Sequence, residues 1–155
     1  MPLTSADTNT STSISPYIAG AWPYLLQGLN WAQQHDIHVI LDLHGAPGSQ
    51  NGYDNSGQRT DNPQWALQTE NVQRTLDTIQ FLVEHVGNQV DIIELLNEPV
   101  GYLSSQWTQV LGQYWQDGYN VVRNVVGGGM KIMIGDGFLG IQVSIGIASH
   151  EQEST

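Results

Sequence analysis

The 155-residue sequence contains no cysteine and no run of apolar residues long enough to cross a bilayer. Disulfide frameworks and thiol chemistry are therefore excluded, although cysteine usage leaves the compartment open. Basic residues are also scarce, because four Lys and Arg stand against fifteen Asp and Glu, for a formal net charge of -11. This charge repels nucleic acid phosphates and anionic lipid surfaces, so we expect neither nucleic acid nor a membrane as a partner.

The sequence also lacks two signals that would direct it elsewhere. Residues 1–15 are rich in Ser and Thr without hydrophobic periodicity, which predicts a disordered arm. They hold no basic segment followed by an apolar one, so we expect no signal peptide in this chain. No Gly-x-Ser-x-Gly occurs, which argues against a small doubly wound hydrolase with a nucleophile elbow.

Hydrophobic periodicity predicts three helices that alternate with three strands. The helices are predicted at residues 24–35, 69–86 and 104–123, and the strands at residues 38–44, 91–98 and 131–134. The strands are short and apolar and require cover on both faces, which is typical of parallel βα units. The predicted fold class is therefore α/β, with about three parallel βα units.

Polar side chains follow the carboxyl ends of the predicted strands, namely His44, Asn97, Glu98 and Asp136. In parallel α/β folds these ends form the ligand site. A glutamate beside an amide at such an edge suits glycosidic cleavage, in which a general acid protonates the leaving oxygen. Asn-Glu-Pro alone would more often be a surface turn, but its place directly after an apolar strand favours the catalytic interpretation.

The two-residue period of a strand assigns further side chains to the same face. Asp42 and His44 share one face of the first strand, and Glu94 shares a face with Glu98 on the second. We predict that Glu94 is a buried structural carboxylate that hydrogen-bonds with Asp42. His44 alone would more often be a core histidine, yet the polar loop at residues 45–63 offers amides, a carboxylate and an aromatic ring, which suit sugars.

Tryptophan and histidine spacing gives further expectations. Trp31, Trp107 and Trp115 lie at helical core spacing and are predicted to pack. Trp65, in the loop, is the one tryptophan predicted as a candidate sugar platform. Four histidines lack metal-ligand spacing, and we expect no metal and no cofactor; they are His35, His38, His85 and His150.

Three runs carry a family resemblance: LDLHGAPGSQNGYDNSG at 41–57, ELLNEP at 94–99 and IMIGDGFLG at 132–140. Together they resemble the fungal exo-β-1,3-glucanases of glycoside hydrolase family 5, which are (β/α)8 TIM barrels. The resemblance covers about residues 16–142 and implies strands three to five of the barrel. It implies retaining hydrolysis of β-1,3-glucan or laminari-oligosaccharides, outside the cell or in the cell wall.

The same resemblance implies roles for single residues. Glu98 would be the general acid/base, and Asn97 the amide that binds the sugar 2-hydroxyl. His44 and Asn55 would contact the sugar in the -1 subsite. Tyr53 would stand at the entrance of that subsite, where the family usually has Phe.

The sequence also departs from the family. Gly135 replaces the usual His before Asp136, and nothing after Asp136 resembles the seventh strand that carries the family's nucleophile. We therefore predict a disordered arm at 1–15, a partial catalytic domain at 16–142 and a tail at 143–155 that does not belong to the family. One hypothesis for this tail is retained intron sequence. Unpaired strand edges predict aggregation, and the missing nucleophile predicts little hydrolysis. The alternatives are a non-catalytic β-glucan-binding remnant or another clan member such as an endo-β-glucanase.

Overall fold

The computed structural model of the chain describes residues 20–140. The predicted arm at 1–15 and the predicted tail at 143–155 lie outside the described residues. The helices are α1 (Trp22–Gln34), α2 (Thr69–Val86) and α3 (Ser105–Val126), and the strands are β1 (Ile40–Asp42), β2 (Ile92–Glu94) and β3 (Lys131–Met133). Two short 3-10 turns, Asp54–Ser56 and Trp65–Leu67, lie between β1 and α2.

The three strands form one parallel sheet in the order β1-β2-β3, and Ile40, Ile92 and Lys131 lie side by side in register. Each regular strand is shorter than its predicted span, but backbone pairing continues beyond the first two. Leu43 N donates to the carbonyl of Glu94 at 3.3 Å, and Asn97 N donates to the carbonyl of Leu43 at 3.0 Å. This extended pairing brings the ends of β1 and β2 together.

The two faces of the sheet differ, as the two-residue period predicts. Val39 and Leu41 pack against the core and Leu43 is part of it, while Ile40 on the other face is 53% exposed. Helices α2 and α3 contact each other and contribute about half of the buried core that covers the first face. Helix α3 approaches the residue after β2 closely at Gly118, where an added Cβ would lie 2.8 Å from a methyl carbon of Leu95.

The tryptophan predictions have mixed outcomes. Trp107 and Trp115 are buried in the core, as predicted. Trp31 is 56% exposed, so its predicted packing is wrong. Helix α1 buries Leu29, and a residue two positions later points about 200° away around the helix axis.

Trp65 is wholly buried, so the prediction of a sugar platform at this position is also wrong. Its indole Nε1 donates to the hydroxyl of Thr75 at 3.0 Å. Its ring meets Tyr114 edge-on, with ring centroids 5.1 Å apart, and lies 6.2 Å from the ring of Trp107. Trp65 therefore anchors the loop to α2 and α3, and its ring has no free face for a ligand.

A second polar contact joins the strands at their opposite, amino-terminal ends. The side chain of Asp91 pairs with Nδ1 of His38 at 2.7 Å and accepts from the backbone of Val39 at 2.8 Å. The hydrogen bond from Val39, followed by that from His38, lowers the pKa of Asp91, and the Asp91 contact raises the pKa of His38.

Among the helices of residues 20–140, none has the length and apolar character that a membrane span requires.

Candidate active site

The loop after β1 is attached to the end of β2 by Gln50, whose side chain is fully buried. Its Nε2 donates to the carbonyls of His44 at 3.1 Å and Asn97 at 2.9 Å. Its Oε1 accepts from the backbone of Ala46 at 3.0 Å, and its carbonyl accepts from Val100 N at 3.1 Å. One amide side chain thus holds together the two strand ends that present the predicted polar residues.

The next residue, Asn51, is 6% exposed and also uses its whole amide. Its Nδ2 donates to Oδ1 of Asn55 at 3.0 Å and to the carbonyl of Glu98 at 3.1 Å. Its Oδ1 accepts from the backbone of Tyr53 at 2.8 Å. The loop is therefore joined to the segment after β2 at a second point, the backbone of Glu98.

Glu98 lies at the carboxyl edge of the sheet with its side chain exposed. Its Oε2 accepts from Nδ2 of Asn55 at 2.5 Å. The backbone of Glu98 has a φ of 45°, a left-handed conformation that is uncommon outside glycine and that concentrates at functional sites. Two residues that the sequence placed 43 positions apart are thus in direct contact at the rim.

Three further polar side chains lie on the same face, below Glu98. His44 Nδ1 pairs with Oδ2 of Asp42 at 2.5 Å. The predicted hydrogen bond of Asp42 therefore goes to His44 and not to Glu94, because the side chains of residues 42 and 44 lie adjacent on one face. Burial, and then the charge of Asp42, raise the pKa of Glu94, and the charge of Glu98 adds to this while His44 opposes it.

Two buried polar atoms of this cluster have no hydrogen-bond partner within residues 20–140. They are Nδ2 of Asn97 and Oδ1 of Asp42. A buried amide or carboxylate atom left in this state costs about 1–3 kcal/mol, more when it is charged. Asn97 adjoins Glu98 in sequence and Asp42 pairs with His44, so this part of the site has one unused hydrogen-bond donor and one unused acceptor.

The rim beside Glu98 is aromatic. Tyr53 and Tyr102 are each 52% exposed, and their hydroxyl groups lie 3.5 Å apart. This hydrogen bond raises the pKa of Tyr102.

Asp136, the last of the predicted strand-end residues, has a structural contact. Its Oδ1 accepts from the backbone of Phe138 at 2.9 Å and stabilises the turn after β3.

Sequence reasoning missed three residues of this region, namely Gln50, Asn51 and Tyr102. The Asn-Gly pair at 51–52 signals a turn but not the long-range contacts of the amide. The exposed Tyr102 lies in a short loop with no periodicity to mark it. In the part of the chain that the structure describes, no group of three or more His, Asp or Glu side chains is placed to hold a metal ion.

Replacing Glu94 with glutamine is expected to stabilise the fold at neutral pH. Burial raises the pKa of Glu94 in the folded state above the ordinary value of 4.5, so its ionised form destabilises the folded state at higher pH. This penalty vanishes as the pH falls below 4.5. Glu94 is only half-buried, so solvent screening limits the gain in the free energy of unfolding to less than about 1 kcal/mol. Urea denaturation at pH 7 and at pH 4 measures it.

The control for this prediction is Glu84→Gln, on the exposed side of α2. It removes the same charge without burial, and its effect should be close to zero at both pH values. A Glu94→Gln variant that is less stable than the parent at pH 7 would show that the carboxylate contributes favourable contacts that outweigh its burial.

Comparison with known proteins finds both sequence and structural relatives. Residues 17–145 match the family described as Cellulase (glycosyl hydrolase family 5). The chain is 43% identical over 129 residues to glucan 1,3-beta-glucosidase 2 of Wickerhamomyces anomalus, covering 79% of this chain and 29% of that protein. It is 42% identical over 130 residues to glucan 1,3-beta-glucosidase of Blumeria graminis, covering 80% of this chain and 28% of that protein. The chain thus spans less than a third of the length of these curated relatives.

The crystal structure of rutinosidase from Aspergillus niger superimposes with a TM-score of 0.73 at 18% identity, covering 88% of this chain and 43% of that chain. The crystal structure of AoRut gives a TM-score of 0.67 at 23% identity, covering 79% of this chain and 38% of that chain. At such identities the likeness concerns the fold alone. With the parallel order of the strands, these matches confirm the predicted fold class, a partial (β/α)8 barrel of three βα units.

Proposed function

The chain belongs to glycosyl hydrolase family 5, and from this membership we propose that the complete enzyme hydrolyses β-1,3-glucosidic bonds with retention, using Glu98 as general acid/base. In such a reaction one carboxylate attacks C1, and a second gives its proton to the leaving oxygen and then takes one from water. The contact of Glu98 with Asn55 at the open carboxyl edge of the sheet carries the proposal. The names of the sequence relatives support the choice of a 1,3-β-glucan as substrate.

The neighbours of Glu98 are proposed to bind the sugar next to the scissile bond. Asn97 has a buried Nδ2 without a partner in residues 20–140, which would donate to the 2-hydroxyl. The Nδ1 atom of His44 is engaged with Asp42, which in a neutral ring leaves Nε2 to accept from a hydroxyl. Asn55 would reach the same sugar beside Glu98, and the exposed ring of Tyr53 would cover its apolar face.

We further propose that the 155-residue chain by itself releases little glucose. The resemblance assigns the attacking glutamate to a seventh strand, and the third strand of residues 20–140 is followed only by a turn. A retaining reaction needs both carboxylates, about 5–5.5 Å apart. For the complete enzyme we propose a place outside the cell or in the cell wall, where 1,3-β-glucan is encountered.

Titration of the purified chain with laminaritriose tests the sugar site. We expect weak, saturable binding, with a loss of about tenfold or more in affinity on His44→Ala and on Tyr53→Ala, since each removes one direct contact. Cellotriose, with the other linkage, should bind more weakly. Isothermal titration calorimetry measures each affinity.

The control is Tyr24→Ala on α1, which removes a tyrosine ring that is more exposed than that of Tyr53, 75% against 52%, and that lies on a different element from the site. This substitution should leave the affinity unchanged. No binding of laminaritriose by the folded chain would refute the sugar site. Release of glucose from laminarin by the chain, abolished by Glu98→Gln, would refute the claim of low turnover and show that a nucleophile is present after all.

A further inference from the structure

We propose that Asn51 is a positioning residue of this site, which sets the direction of the Asn55 amide and supports the backbone of Glu98. The inference rests on the proposed function, because Asn51 affects catalysis only if Glu98 is the general acid/base. The hydrogen bonds themselves stand independently of that function. Asn51 does not reach the rim, since only 6% of it is exposed, so it would act through its two neighbours.

The first step concerns the two ends of the Asn55 amide. A carboxamide presents an oxygen at one end and an NH2 group at the other, and its orientation is decided by the hydrogen bonds around it. Nδ2 of Asn51 donates to Oδ1 of Asn55, so the oxygen of Asn55 is turned toward Asn51. The NH2 group of Asn55 is thereby turned toward Oε2 of Glu98. Glu98 consequently meets a donor and not a carbonyl oxygen.

The second step concerns the backbone of Glu98. Its left-handed conformation costs roughly 1–2 kcal/mol for a residue with a side chain. The second proton of the Asn51 NH2 group is donated to the carbonyl of Glu98 at 3.1 Å, which favours the observed direction of this peptide. One NH2 group therefore acts on both the side-chain partner and the backbone of the proposed acid/base.

The third step is that Asn51 itself has no freedom to turn. Its Oδ1 accepts from the backbone of Tyr53, so a rotation of the amide would place NH2 against that N–H and oxygen against two acceptors. All three polar contacts would be lost together. The backbone of Tyr53 thus fixes the orientation of the Asn51 amide, and Asn51 in turn fixes the orientation of the Asn55 amide that contacts Glu98.

Asn51→Asp isolates this role, because a carboxylate keeps the acceptor for Tyr53 but has no proton for Asn55 or for the Glu98 carbonyl. Asn55 should then turn its NH2 group toward position 51 and present its oxygen to Glu98. The hydrogen bond to Oε2 would be lost at neutral pH. The charge-matched control is Asn62→Asp, at an exposed position of the same loop.

The test follows the side-chain amide signals of Asn55 in the 15N-labelled 155-residue chain by NMR. We expect Glu98→Gln to move these signals in the parent and in Asn62→Asp, but not when combined with Asn51→Asp. Laminaritriose affinity should fall about tenfold in Asn51→Asp and stay within about twofold in Asn62→Asp. A folded Asn51→Asp chain whose Asn55 signals still respond to Glu98→Gln would overturn the proposal.

A measurement on the unsubstituted chain decides the matter even if Asn51→Asp does not fold. Both Nδ2 protons of Asn51 and one Nδ2 proton of Asn55 should exchange slowly with solvent, and rapid exchange of the Asn51 protons would overturn the proposal. If these signals behave as expected and laminaritriose does not bind, the positioning role stands and the proposed sugar site fails. Lost binding with unchanged Asn55 signals would instead refute the positioning role alone.

Discussion

Glu98→Gln is expected to lower the turnover of laminarin by a complete barrel by about 10²- to 10⁴-fold, the usual contribution of a general acid/base. The complete barrel is made by placing residues 17–145 of this chain in the matching segment of the Wickerhamomyces anomalus relative, to which the chain is 43% identical. Glutamine has nearly the same shape as glutamate and can still meet Asn55, but it cannot give a proton to the leaving oxygen. Glucose release from laminarin measures the effect.

The leaving group separates this role from a general loss of structure. An aryl glucoside with a good leaving group needs no protonation in the first step, so its cleavage should slow much less at that step. Added azide should then restore turnover of this substrate, because it attacks C1 of the glycosyl-enzyme without needing a general base. An equal loss for both substrates without azide rescue would remove Glu98 from the acid/base role.

Glu94→Gln in the same barrel is the matched control. It changes another glutamate on the same face, two same-face positions below Glu98 with Leu96 between them. Because Glu94 is proposed to be structural, its replacement should leave most of the turnover in place. A loss comparable to that of Glu98→Gln would mean that the two carboxylates act together.

Gln50→Leu is expected to lower the free energy of unfolding of the 155-residue chain by about 3 kcal/mol. Leucine fits a similar volume, but it withdraws the donor that Nε2 supplies to the carbonyls of His44 and Asn97 in two part-buried hydrogen bonds. Each buried group deprived of a partner costs about 1–3 kcal/mol. In a chain of this size the midpoint of thermal unfolding should fall by about 10 °C, as followed by circular dichroism.

The same substitution should weaken laminaritriose binding, because Gln50 connects the loop that carries Tyr53 and Asn55 to the end of β2. Gln58→Leu, at an exposed position of the same loop, is the control and should change the midpoint by less than about 2 °C. A Gln50→Leu midpoint within that same range would show that the loop is held by other contacts, such as Trp65 against α2 and α3.

The helices show how far local patterns reach. The predicted bounds of α2 agree with the structure, because apolar residues recur at helical spacing up to Val86 and Gly87 ends the helix. Helix α3 continues to Val126, beyond its predicted end at residue 123, since Gly127 is the first residue with a positive φ after it. The predicted strands are too long, because Leu43, Leu95 and Leu96 continue the apolar pattern beyond Asp42 and Glu94 while the backbone leaves the regular ladder to form the rim.

The two wrong tryptophan predictions show that local sequence patterns do not determine the burial of a side chain. Trp65 lies in a loop with polar neighbours, and only the return of that loop across α2 and α3 gives it a buried place beside Thr75 and Tyr114. Trp31 lies on a helix with the expected period, but the sheet and the other helices of residues 20–140 cover only one side of α1.

By itself the sequence determined the alternation of helices and strands, the face of each strand, and the gathering of His44, Asn97 and Glu98 at one edge. These follow from periods of 2 and 3.6 residues, which are local properties of the chain. Only the tertiary structure decided which amide meets which partner, as when Asn51 reaches the carbonyl of Glu98 across 47 positions. An amide side chain can donate or accept in any direction, so its partner is decided by where two distant loops meet.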